Sequence, residues 1–469
     1  MKDILGLLES ALGPGVVHPG DESGMERFRG DLLETMPQGA FPAAIILPRT
    51  VAEVATALRI CHAQGVAVTP QGGLTGVVGA AVPLAGGVVL SLERMRAIIE
   101  LDADSATMTV EAGVPLEAVQ QAAAAQGLLF PLDLGARGSC TIGGNAATNA
   151  GGNRVLRYGM MRDLVLGLEV VLADGTVITS LGKMIKNNAG FDLRHLFIGS
   201  EGTLGVVTRL VLKLFPMPTS ACTALCGVES YDGVLALLAL ARRRLGGTLS
   251  AFEVMWPGFH ALARGAAVRM PLERDYPCHV LLDALGTDQD ADQERFNALL
   301  EAALEQGIIV DAVIAQSGKE GESLWALRDC VSEFPRLMGA NVSFDISVPT
   351  GDIARFIAGC DRALGAPEER RSVWFGHVAD ANVHLMVELN AGMDKAAIER
   401  IVYDAVRDHG GSVSAEHGIG IAKRAYLGHT RGSNEIAVMR LIKQALDPRG
   451  ILNPGKVLPD LAPAQEQAS

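Results

Sequence analysis

Apolar positions along the first half of the chain come in short runs separated by glycine. Ala43 to Leu47 is a buried-strand pattern. Thr50 and Glu53 then form a capping box. Val51, Val54, Leu58 and Cys61 recur at helical spacing, and Gly65 is the stop signal. Val66 to Thr69 reads as the next strand, and it runs into a glycine-rich loop from Pro70 to Gly79. The spacing therefore predicts a strand–helix–strand unit and a first domain that mixes helices with sheet. Two further glycine-rich stretches follow, from Pro131 to Gly152 and from Ile198 to Thr208. Strand-like runs such as Leu168–Leu172 and Val206–Leu212 flank them. Pro216 and Pro218 mark a domain boundary. From Ala221 to Asp408 strands alternate with Ala/Leu-rich helices and glycine-rich loops are absent, which predicts a second α+β domain. Asp447 to Lys456 is turn-rich, and the tail from Leu461 has the composition of a disordered end.

Ala63 to Leu92 carries no charged residue. Pro70, Pro83 and frequent glycines make it a set of loops and short buried strands instead of a membrane span. The P-loop-like run from Gly450 to Lys456 has Val457 where Ser or Thr is required, and no helix pattern follows, so it is set aside.

Length allows two or three domains. Forty Lys and Arg stand against 53 Asp and Glu, a net charge of −13, and no Lys/Arg run of five or more occurs. Nucleic acid and anionic membrane are thereby poor partners. Seven cysteines are scattered without a CxxC pair. That pattern predicts reduced thiols, a cytoplasmic setting and no iron–sulfur cluster. Met1 to Gly6 carries an early acid, and no signal-peptide cleavage motif is present.

Glycines let backbone amides approach a ligand, and successive amides form an anion nest. Three such stretches in one domain suit a long ligand with a pyrophosphate, although no GxGxxG follows a strand. The other candidate chemistry is near the C-terminus. His377, His384 and Glu416 make a plausible first shell for a divalent metal, and His417 beside them is a candidate general base. The odd His377–His384 separation would point the rings to opposite faces of a straight strand. Asp380 to Asn382 can break that strand into a turn so that they converge. Gly418 has to help the backbone if Glu416 and His417 are to share a cavity. The same residues also suit two hydrogen-bonded core histidines and a surface acid.

Taken together and in order, these motifs resemble the FAD-dependent D-2-hydroxy-acid dehydrogenases of the vanillyl-alcohol-oxidase-like flavoproteins, over roughly residues 40 to 458. The resemblance implies a two-part FAD-binding domain over 1–216 and an α+β substrate-binding cap with the metal site over 217–440. Residues 441–469 would return to the FAD domain. Pro70, Gly72, Gly73, Leu74, Thr75, Gly76 and Gly79 would form the pyrophosphate loop. Pro131, Asp133, Ser139, Gly143, Gly144, Asn149, Gly151, Gly152, Arg157, Tyr158 and Gly159 would cradle the flavin. Glu201, Gly202, Gly205, Val206 and Asn453 would complete its site. His377, His384 and Glu416 would hold the metal, with zinc the default and manganese, cobalt and iron open. Arg328 would grip the substrate carboxylate, Asn382 would hydrogen-bond the substrate, and His417 would remove the hydroxyl proton.

Several positions depart from the family. Ala379 and Ala381 stand where glycine is usual, and Leu74 where a polar residue is common. No His or Cys stands at the covalent-attachment positions, which implies non-covalent FAD. Ser343 replaces a lysine that dicarboxylate-specific relatives use. That favours a monocarboxylic, D-lactate-like substrate over D-2-hydroxyglutarate. The resemblance further implies an electron-transfer flavoprotein or a quinone as acceptor instead of NAD. It leaves open a homodimer through the cap and a peripheral association with the inner membrane. Two other classes compete: a non-haem metal oxygenase on the same two-His-one-carboxylate set, and a flavin-binding protein without turnover.

Overall fold

A computed structural model describes residues 4–13, 15–266, 268–365, 371–389 and 394–460. The tail from Leu461 lies outside the described residues. The chain divides into two compact units. One comprises Met1–Gly151, Met160–Met217 and Glu416–Ser469; the other comprises Gly152–Gly159 and Pro218–Ala415.

The first unit carries two larger sheets and a two-stranded one, Leu128–Leu129 with Phe215–Pro216. A four-stranded sheet has the order Val17–Pro19, Ala44–Ile46, Val88–Ser91, Val68–Gln71. Its last three strands run parallel. The crossover is the helix Val51–Gln64. Thr50 accepts a bond from the Glu53 amide at 3.2 Å, Glu53 reaches back to the Arg49 amide, and Gly65 ends the helix at φ +67°. Val54, Leu58 and Cys61 form its buried stripe. The second sheet is antiparallel and five-stranded, with Val206–Lys213 at its centre between Thr107–Glu111 and Val165–Val171.

The second unit is built on one seven-stranded antiparallel sheet. Its order is Asp311–Ile314, Ser220–Val228, Cys278–Gly286, Leu249–Met255, Ser372–Gly376, Asn382–Glu388, Asn341–Ser347. Helices Pro257–Gly265, Gly318–Asp329 and Phe334–Met338 supply one core against it. There Phe259, Leu324, Leu327 and Phe334 meet Met255, Phe375 and Met386 of the strands. The strand Leu249–Met255 is buried at every position, so any polar side chain it carries must find a partner inside. One of its residues is Glu253.

Candidate active site

The register across the seven-stranded sheet assembles the polar row. Met255 lies opposite Phe375, Phe375 opposite His384, and His384 opposite Asp345. Paired residues of antiparallel strands share a face, and Glu253 shares it with Met255 because side chains alternate. His377 stands just past the strand Ser372–Gly376. A single turn, Val378–Asp380, follows, and Ala381 closes it in the left-handed conformation at φ +69°. Asn382 then opens the next strand. The turn brings the two imidazoles to 5.4 Å between ring centres, at 83°. It is fastened by Arg242, which donates to the Ala379 carbonyl at 2.8 Å.

Buried carboxylates stand behind both histidines. His377 Nδ1 lies 2.5 Å from Glu253 Oε1, and the two side chains are 7% and 1% exposed. His384 Nδ1 faces Asp345 Oδ1 at 4.0 Å, and Ser414 Oγ holds the other Asp345 oxygen at 3.3 Å. At hydrogen-bond distance, the Glu253 carboxylate on Nδ1 favours the His377 tautomer with its lone pair on Nε2, the arrangement of a metal-ligating histidine. The longer Asp345 contact supplies His384 with a nearby negative charge only. Glu416 follows Ala415, the last residue of the second unit, by one peptide bond. One ligand atom from each of His377, His384 and Glu416 lies within 4.8 Å of the others. This donor set and its carboxylate backing fit a divalent metal.

Around this group the structure places the other expected residues. Arg328 is buried, donates from Nε to Glu253 Oε2 at 2.8 Å, and rests on the Phe375 ring at 4.8 Å. No bond from its terminal nitrogens to another described residue accompanies this one. Both polar atoms of the buried Asn382 side chain lack a partner among the described residues, as fits a group awaiting a ligand. Burial, augmented by the Glu253 charge and partly offset by His377, pushes the Asp380 carboxyl up to about 6. Burial also opposes the charge on Glu253, but His377 and Arg328 outweigh it and hold its pKa well below the ordinary value. His417 is exposed. Ser343 is exposed, and its hydroxyl donates to Asn341 at 3.2 Å.

In the first unit the three glycine-rich stretches come together. A Cβ at Gly73 would sit 2.1 Å from the Ser139 carbonyl, one at Gly72 2.5 Å from Thr141, and one at Gly202 3.1 Å from Pro70. The amides of Gly72, Gly73, Leu74, Thr75 and Gly76 donate to no group among the described residues. A run of unpaired amides fits a phosphate-bearing ligand. Gly205 instead packs on Val170 and Phe197. Asn453 ties the loops, donating to the carbonyls of Ala80 at 3.0 Å and Glu201 at 2.8 Å. The Glu201 carboxylate is committed to the amides of Ile419 and Gly420 at 2.7 and 2.8 Å, so it holds the turn that carries His417. Asp133 pairs with Arg137 at 3.2 Å. Gly152, Arg157, Tyr158 and Gly159 belong to the second unit, where Arg157 donates to the Leu285 carbonyl and lies over the Tyr158 ring.

Glu253 and Asp345 escape a motif search. Their signal is an acid flanked on both sides by large apolar residues within a strand, Phe252 and Val254 around Glu253 and Phe344 and Ile346 around Asp345.

Two family profiles match the chain: "FAD linked oxidases, C-terminal domain" over residues 217–457 and "FAD binding domain" over 42–180. The chain is 39% identical over 461 residues to the mitochondrial D-2-hydroxyglutarate dehydrogenase of Bos taurus, covering 98% of this chain and 84% of the relative. It is 41% identical to D-2-hydroxyglutarate dehydrogenase of Xanthomonas citri, covering 89% of each. The chain belongs to the FAD-dependent D-2-hydroxy-acid dehydrogenase family. It is therefore an FAD-dependent hydroxy-acid dehydrogenase, as the motif resemblance implied. The fold of this dehydrogenase is that of p-cresol methylhydroxylase, with TM-score 0.77, 18% identity and 97% and 96% of the two chains covered. Alkyldihydroxyacetonephosphate synthase is similar at TM-score 0.74 and 17% identity, with 97% and 84% covered. Among the described residues no helix is long and apolar enough to cross a membrane.

Proposed function

We propose that this dehydrogenase oxidises a D-2-hydroxy acid to the 2-oxo acid with the help of a divalent metal held by His377, His384 and Glu416. The observation that carries the metal is the convergence of one ligand atom from each of His377, His384 and Glu416 within 4.8 Å of one another, with the buried Glu253 carboxylate bonded to the Nδ1 side of His377. Bound metal and FAD would supply, respectively, polarisation of the substrate hydroxyl and an acceptor for the hydride leaving Cα. The chain's own residues do the rest. Arg328 offers a planar cation to the substrate carboxylate. Asn382 offers an unspent amide to the substrate. His417 takes the hydroxyl proton as general base. Zinc is the default ion, and FAD is held without a covalent bond.

Ser343 brings no positive charge, so a second substrate carboxylate in a closed pocket would lie desolvated and unpaired. That favours a monocarboxylic, D-lactate-like substrate. D-2-hydroxyglutarate is the second reading, favoured by the names of the curated relatives. An electron-transfer flavoprotein or a quinone is the acceptor we favour. Seven buried free cysteines suit a reducing compartment such as the cytoplasm.

Anaerobic mixing tests the reading. D-lactate and D-2-hydroxyglutarate are each added and bleaching of the flavin is followed. Stripping divalent cations with a chelator should stop the bleaching and leave FAD bound. Undiminished bleaching after metal removal would take the metal out of the reaction. A strong preference for D-2-hydroxyglutarate would overturn the Ser343 argument.

A further inference from the structure

Glu253 has no place in the chemistry derived so far, yet it is among the most deeply buried charges in the second unit, at 1% exposure. Each of its oxygens has a different partner. Oε1 meets His377 Nδ1 at 2.5 Å, and Oε2 accepts from Arg328 Nε at 2.8 Å. The strand that carries it is apolar on either side of it and buried throughout, so the carboxylate cannot turn to water. One acid therefore stands between a proposed metal ligand and the proposed substrate-carboxylate cation.

We propose that Glu253 is a positioning residue that couples the metal to the substrate anion: it sets the tautomer and basicity of His377 and, with the same group, aims Arg328. This inference rests on the metal reading given above. The physical reason is charge sharing. A carboxylate bonded to the far nitrogen of a ligating imidazole raises its donor strength. Arg328 draws on the same carboxylate, so its presence weakens what Glu253 gives to His377. A substrate anion that engages the Arg328 guanidinium returns some of that negative charge to His377. Substrate binding and metal binding should then favour one another, and such linkage is reciprocal.

The test measures zinc affinity by chelator competition on flavin-loaded protein, with flavin absorbance and circular dichroism confirming the folded state. Glu253→Gln should weaken zinc binding roughly 10- to 100-fold. Arg328→Met, which keeps the apolar stem over Phe375, should tighten it, by roughly five-fold or more. Opposite signs are the decisive result, because a purely structural role for the cluster would weaken zinc in both variants. If Glu253→Gln does not fold, Arg328→Met decides alone, and unchanged or weaker zinc binding there overturns the proposal. A wild-type protein that binds zinc with the same affinity as Glu253→Gln overturns it as well and leaves the metal reading standing. A wild-type protein that binds no zinc, manganese, cobalt or iron overturns both.

Discussion

The two units use opposite means to build a site. In the first, the work falls to backbone. Gly72 and Gly73 leave room for neighbouring loops that a side chain would push apart, and five successive amides are left unspent. In the second, it falls to side chains that register brings into one row: Asp345, His384 and, two residues from Met255, Glu253. A backbone site is written in local composition. A side-chain site is written in residues far apart in sequence, and each means little alone.

The comparison can be broken from the side-chain end first. If His417 removes the hydroxyl proton, His417→Ala should slow flavin reduction by roughly two to four orders of magnitude. Stopped-flow bleaching reads this directly, and substrate affinity should change far less. A variant that reduces its flavin at the normal rate would remove His417 from the chemistry.

At the backbone end, Gly73→Ala should cost flavin and not folding. The new methyl would meet the Ser139 carbonyl at 2.1 Å, so the loop must shift and its amides lose their aim. Flavin absorbance per protein should fall several-fold while the far-ultraviolet circular dichroism is kept. A fully yellow Gly73→Ala protein would show that the loop tolerates the shift.

A smaller effect separates the second unit's site from its core. His260 and His279 stack at 3.8 Å between ring centres, 1% and 0% exposed. Burial foremost, with the neighbouring His279 adding to it for His260, brings their pKa values down from 6.5 to about 3 and about 4. The unfolded chain therefore takes up protons that the folded one refuses. Above pH 6.5 the pair adds no pH dependence; as pH falls below that value, stability is lost progressively towards about 4 and about 3. Between pH 6.5 and 5 the loss should be about 2 to 4 kcal/mol, at about 1.4 kcal/mol per group and pH unit. Urea midpoints at the two pH values measure it, and His260→Leu should flatten the slope. An unchanged slope would mean that other groups govern acid lability.

The smallest effect lies in the turn between His377 and His384. Ala381 sits at φ +69°, where alanine is strained and glycine is not. Ala381→Gly should raise stability by up to about 1 kcal/mol in thermal unfolding, offset in part by the entropy that glycine loses. A clear loss of stability would show that the Ala381 methyl has a packing role.

Much of this was legible in the chain before folding. The helix Val51–Gln64 followed from its caps and stripe, and the strands at Ala44–Ile46 and Val206–Lys213 from their apolar runs. The turn between His377 and His384 followed from their odd spacing and from Asp380 to Asn382. Two departures from the family show their cost only in three dimensions. Leu74 and Ala381 both occupy left-handed backbone, which glycine and asparagine tolerate better. Leu74 offsets its strain by packing against Phe28, Ile45, Leu47 and Val89. The place where the chain leaves the second unit, between Ala415 and Glu416, carries no Pro or Gly boundary signal and was not foreseen.

By itself, then, the sequence determined what depends on neighbours along the chain: caps, apolar periods, glycine-rich loops and a pair of histidines seven residues apart. Tertiary structure alone decided which acid stands behind each histidine and that Arg328 shares Glu253 with His377. It also decided that Glu201 holds the amides after Gly418. These are choices of strand register and loop contact between residues 39 to 219 positions apart, and no local preference encodes them; only the burial of an apolar face, which admits one register and punishes the next, selects them.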